Sequence, residues 1–529
     1  MKKSLIILWC LCSLTVLAQN RYYVNQTKGD DANDGLSWSK AFATLQMAID
    51  EATSGDEIWV AAGIYLPTKR LPELDNAGNP TSQRYQTFLI PNGVKLYGGF
   101  PAQADNNTGM DKRDWEIHQT ILSGDFNNDD REDFTRMEEN AYHVVSLFNT
   151  DESTVIDGLT ITGGNVDYFV PLRMIIGSGI YAGSGNGISS PTLRNLIIEG
   201  NVSKGGGAGF SNDSNGDACP VIINTIIRRN KSGEYGGGFA NYGRNTSAPI
   251  LENVIISGNQ AYIGGGMYCL SEQLETSPVL TNVLVSGNSS NSDAGGIYLN
   301  SYAGNVKPVL TNVTIVGNKA GNVVGGLLCF ANPGISSPEI RNTVMWGNKA
   351  KVMEWYDFYN EGNIGSFPDL HNCLIGDQTL LLGIVYPFVY PGFVSAIDAD
   401  FAPTTEGDYR PVDGSPLINM GNNAFVTATI DLAGKPRIFD QTVDIGAYEY
   451  QDIFSANMSA PSPEKNIWVE AGNLYVRIDQ PTIVRIYSVD GILVQQISMS
   501  AGTQAISLPS GFYIVSLNNE MSTKVLVLK

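Results

Sequence analysis

Charge is scarce in this chain, and histidine scarcer. Asp, Glu, Lys and Arg together make up 16% of 529 residues, and histidines number 3. So little charge does not fit a bundle of solvated helices, and 57 glycines point to turns between packed strands. The formal net charge is −20, with no cluster of Lys and Arg. That excludes a nucleic-acid or anionic-membrane binder working through a basic patch. Cysteines number 6. Cys10 and Cys12 fall near the N terminus, and Cys219, Cys269, Cys329 and Cys373 are too few to staple a chain this long. Two of them, Cys269 and Cys329, share a repeat position two repeats apart, so all four thiols are expected to stay unpaired. Long apolar runs are missing beyond the N terminus, so no transmembrane span is expected in the mature chain. The opening "MKKSLIILWCLCSLTVLAQN" has Lys2 and Lys3, an apolar run from Leu5 to Leu17 and then Ala18. It reads as a secretory signal peptide over residues 1–18, which leads to an oxidising compartment.

What the chain does have is a repeat. "LRNLIIEGN" begins at Leu193 and returns at Ile222, Leu251, Leu280, Leu310 and Ile340, with a decayed copy at Leu370, in steps of 29 and then 30 residues. A glycine phrase keeps pace, from "SGIY" at Ser178 to "GGLLC" at Gly325. Each unit is too small to bury its own apolar face and must stack on its neighbours. The column Ile198, Ile227, Ile256, Val285, Ile315, Met345 and Ile375 is apolar throughout and points inward. The next, Glu199, Arg228, Ser257, Ser286, Val316, Trp346 and Gly376, is mixed and points outward. Two asparagine files run through the units, one from Asn195 to Asn372 and the other from Asn201 to Asn348. Both occupy sharp corners where Asn tolerates the left-handed conformation, and stacked amides can bond along each file.

This pattern resembles the right-handed parallel β-helix of the pectate-lyase-like superfamily. The rhythm of Gly258, Asn259, Ala261, Gly264 to Gly266 and Tyr268 is also similar to polymorphic outer-membrane and adhesin repeats. In "FATLQMAID" the residues Phe42, Leu45, Ile49 and Ala52 fall on one helical face and supply an N-terminal cap before strands from Ile58 to Leu66. The run "GSPLINMGNN", "DLAGKPRI", "VDIGAYEY" looks like a choice-of-anchor Q segment, whose residues read as packing. "YSVDGILV", "LPSGFYIV" and the terminal "KVLVLK" resemble a C-terminal sorting domain of type IX secretion. The expected fold is therefore all-β. A parallel β-helix with its cap and closing segment spans 19–450, a linker 451–466, and a small Ig-like sandwich 467–529. The resemblance implies export by the type IX secretion machinery to the surface of a Gram-negative bacterium, with the protein attached to the outer membrane or released.

Chemistry leaves weaker traces. The three histidines do not supply the Gly-His-Gly of polygalacturonase-like enzymes, and no acidic column suits a calcium pectate lyase. Glu234 and Asp293 lie just before glycine strands two rungs apart, a wide spacing for an inverting carboxylate pair. Tyr268 and Tyr298 sit one rung apart facing outward, where rings stack on sugars or on each other. "GDFNNDDRED" carries Asp125, Asn127 and Asp129 at a calcium-like oxygen spacing but lacks the terminal Glu. Otherwise no cofactor is expected. Two readings follow: a non-catalytic adhesin or glycan-binding scaffold facing a polysaccharide or host surface glycan, or a polysaccharide lyase or glycoside hydrolase.

Overall fold

The computed structural model describes residues 19–70, 82–167, 176–185, 187–352, 357–376, 383–386, 389–451, 467–470, 473–478, 480–488, 493–509, 511–517 and 521–527. Residues 1–18, read as a signal peptide, and residues 452–466 of the expected linker lie outside the described residues. The chain divides into two compact units, Met1–Gln451 and Asp452–Lys529.

The first unit is a parallel β-solenoid. One rung shows its logic. Ile250–Glu252 runs to a corner at Asn253, and Ile255–Ser257 runs to a second corner at Gly258-Asn259. The two-residue strand Gln260–Ala261 leads through the glycine turn into Met267–Ser271, and Glu275–Thr276 returns the chain to the next rung. Every strand pairs in parallel with its copy one repeat away, as in Leu251↔Leu280 and Ile256↔Val285. Residues of one column therefore stack about 4.8 Å apart. The inward column from Ile198 to Ile375 is fully buried, and Phe210 stacks on Phe239 at 5.0 Å within the same core. The front is closed as expected: the helix Leu45–Glu51 buries Leu45, Ala48 and Ile49, with Phe42 and Ala52 beside them.

The two asparagine files do different work. Asn195, Asn224, Asn253, Asn282, Asn312, Asn342 and Asn372 all have φ between 47° and 55°, the left-handed conformation expected. In the second file it is the preceding residue that turns left-handed, as Gly258, Gly287, Gly317 and Gly347 do, or Arg229 before Asn230. Those asparagines are buried and bonded: Asn201 donates to Asn230 (3.0 Å), Asn230 to Asn259 (3.0 Å), Asn259 to Asn288 (2.9 Å), and on through Asn318 to Asn348. Asp357 accepts from Asn348 at 2.7 Å and ends the file. The ladder also explains the glycines opposite it. A Cβ on Gly266 would stand 2.8 Å from Gly296 O and 3.1 Å from the Asn288 amide.

Residues 390–450 fold back along the outside of this wall. They cover Leu284, Val316, Val344 and Leu374 with Phe393, Tyr409, Leu417 and Ile445. The first asparagine file is the track. Asn282 donates to Ile430 O (2.7 Å), Asn312 to Asp444 O (3.0 Å), Asn342 to Asn422 O (3.1 Å) and Asn372 to Met420 O (2.9 Å). The mixed outward column turns apolar at Val316 and Trp346 because the returning chain lies over those rungs.

The second unit has two antiparallel sheets around one core. Ile467–Glu470, Asn473–Ile478 and Gly502–Ile506 form one sheet, and Thr482–Ser488, Leu493–Met499, Gly511–Leu517 and Met521–Val527 the other. Leu474, Val476, Val484, Ile486 and Val515 are buried between them. This is the small sandwich expected. Asp490 and Gly491, between two of these antiparallel strands, lie outside the described residues.

Candidate functional site

The glycine strands form a wall whose outward residues alternate with the core. On it Ala240, Tyr268, Tyr298 and Leu328 stack in register, and beside them run Asp213, Tyr242, Leu270 and Asn300. Tyr268 and Tyr298 do face away from the lumen, with rings 5.5 Å apart. Tyr268 is not available to a ligand, however. It is 2% exposed, roofed by Tyr235 at 4.8 Å and flanked by Tyr242 at 5.7 Å. Alternation along a strand separates inside from outside but does not say whether the turns above cover the outside. Tyr298 and Tyr235 are half-buried, and the well-exposed rings here are Tyr262 and Tyr302, 51% and 54% exposed, both close enough to Tyr235 to influence it electrostatically. Neither belongs to a repeating column, so no periodic signal marked them.

Glu234 and Asp293 stand two rungs apart as expected, since Ile263 N–H donates to Glu234 O and Gly264 N–H to Asp293 O. They do not form a pair. Asp293 is held by Asn322 Nδ2 at 2.8 Å. Glu234 instead lines a cavity of about 260 Å³ with Asp213, Glu272, Arg244, Tyr235 and Tyr242. Packing around Asp213, and then the negative charge of Glu272, hold its carboxyl above the ordinary range. Asp213, itself exposed on its strand, two further carboxylates and two rings thus share one concavity.

A cavity of about 690 Å³ lies on another wall, where Lys319 stacks on Lys349. Lys349 is held by Asp398 and Asp400 at 2.7 Å each, and Lys319 by Asp400 at 3.2 Å. These lysines tie the returning chain to the solenoid.

Asp125 and Asp129 meet, but their third partner is Glu139. One ligand oxygen from each lies within 4.8 Å of the others. Asn127 is exposed and donates its backbone N–H to Asp125 Oδ1 at 3.1 Å. The terminal Glu absent from the loop sequence is thus replaced by one further along. Of the histidines, His143 is buried and held neutral, its pKa lowered to about 4 by burial.

No family model and no curated protein matches the chain. Three solved structures are similar in outline. Pectate lyase Pel9A has a TM-score of 0.45 and 14% identity, covering 82% of this chain and 98% of its own. A rhamnogalacturonan lyase has a TM-score of 0.29 and 11% identity, covering 71% and 91%. XylC, solved in complex with xylose, has a TM-score of 0.25 and 12% identity, covering 94% and 100%. At these scores the fold of this chain rests on its own strand register, and nothing about its activity follows.

Proposed function

We propose that this protein is an extracellular glycan-binding scaffold, secreted or attached to the outer-membrane surface, that presents ligand-binding turns on a rigid solenoid and cleaves nothing. The observation that carries the reading is the tyrosine cluster of one wall. The buried ring of Tyr268 and the half-buried ring of Tyr235 hold the wall in place, and the exposed rings of Tyr262 and Tyr302 offer flat apolar faces beside Glu234 and Asp293. Sugar rings bind such a surface by stacking, with carboxylates accepting from hydroxyls. Replacing Tyr262 and Tyr302 together by Ala is expected to weaken polysaccharide binding by about 1–2 kcal/mol, measured by affinity electrophoresis across a polysaccharide panel. Exposed rings bury little, so stability should change by less than about 0.5 kcal/mol. Binding that survives the double substitution moves the site elsewhere.

The Asp213 cavity favours a second reading, a glycoside hydrolase or polysaccharide lyase. There Asp213 would donate a proton to the departing oxygen, while Glu234 or Glu272 acts as base or nucleophile. Reducing-sugar release by purified protein, abolished by Asp213→Asn, would establish it.

A further inference from the structure

We propose that residues 125–140 form a calcium site, with Asp125, Asp129 and Glu139 as carboxylate ligands beside the buried amide of Asn140. The three carboxylates already converge to within 4.8 Å, and a cluster of acids alone would mean little. The second observation is a set of oxygens with nothing to accept. Asn140 is 0% exposed. Its amide nitrogen donates to Asp130 Oδ2 (2.7 Å) and Gly163 O (2.8 Å), while its Oδ1 is buried without a partner. Asp129 Oδ1, Asp130 Oδ1 and Glu139 Oε1 are buried and partnerless as well. Each such acceptor, buried without a donor, is destabilising, and more so when ionised. The cation recorded against the cluster is Arg136, exposed and 3.4 Å from the other oxygen of Asp129. A bound cation would answer the orphaned oxygens of Asp129 and Glu139 together.

The chemistry of the donors selects the ion. All are oxygen, which disfavours zinc and copper, and three carboxylates on a turn-rich loop exceed the one or two that magnesium draws from protein. Room for the loop comes from Gly163, where a Cβ would lie 2.8 Å from Asp125 N and 3.3 Å from Asp130 Oδ2.

The test is isothermal titration of chelator-stripped, dialysed mature protein with calcium chloride, beside the variant Asp129→Asn/Glu139→Gln. One calcium per chain is expected, with a dissociation constant of about 10⁻⁴–10⁻³ M or tighter, as in extracellular modules. The variant, which sheds repulsion and should fold, is expected to bind at least about tenfold more weakly. Calcium should raise the melting midpoint of the wild type and leave that of the variant unmoved. No uptake by the wild type, uptake undiminished in the variant, or a midpoint that follows pH and ignores calcium would each overturn the site.

Discussion

Asparagine serves two corners of every rung in two ways, and substitution should separate them. At Asn224 the side chain is exposed and makes a 3.3 Å bond to Asn195, so what the position requires is φ of 47°. Asn224→Gly is expected to cost less than about 0.5 kcal/mol, and Asn224→Val about 1–2 kcal/mol, the cost of the left-handed conformation. Asn288 is buried. It accepts from the N–H and the amide of Asn259 and donates to Ile256 O and Asn318. Asn288→Ala strands several of these groups and is expected to cost about 3 kcal/mol or more. Guanidinium unfolding checks all three. The files were plain in the sequence, but their division was not, because spacing reports that a corner exists and not which of its residues carries the turn. The cysteines follow the expected geometry: Cys269 and Cys329 stand on either side of Leu299 in one column, and all four thiols are free. Burial pushes the Cys373 thiol up to about 12.

The element least legible in sequence is the returning segment. Its residues read as packing, yet nothing periodic showed that it would run along the first asparagine file. The outward column held the clue in its drift from Glu199 and Arg228 to Val316 and Trp346. A charged column faces water, and an apolar one in the same line has a cover. The segment encloses Arg437, 1% exposed, whose guanidinium donates to Asp444 O and Gly446 O and lies 3.3 Å from Glu449. Burial raises Asp444 to about 6, and burial followed by the charge of Asp444 raises Glu449 to about 8. Carboxyls raised on folding favour the folded form while protonated. Their contribution is complete below the unfolded values near about pH 4 and is lost as pH rises through 6 and then 8. Hydrogen exchange should therefore show faster opening of residues 414–450 at about pH 9 than at about pH 5, a difference reduced by Glu449→Gln. A segment equally protected at both pH values would count against this account.

For the whole molecule, a solenoid that buries its own core and a separately cored sandwich make a modular protein. If the sandwich directs export, deleting residues 467–529 should leave folded solenoid in the periplasm, as fractionation and surface proteolysis would show. Surface display unchanged by the deletion would make the tail an ordinary domain. The fold was legible because stacking forces every rung to repeat the same in-and-out pattern. The site was not, since Tyr262, Tyr302 and Asp213 belong to single rungs that no repeat obliges to agree. The central claim is that Tyr262 and Tyr302 bind a glycan that the protein does not break. Its most direct test is the chain-length distribution of a polysaccharide that the purified protein retains, measured by size-exclusion chromatography after prolonged incubation. The account predicts an unchanged distribution together with retention that falls in Tyr262→Ala/Tyr302→Ala. Progressive shortening of the polysaccharide, lost in Asp213→Asn, would contradict it.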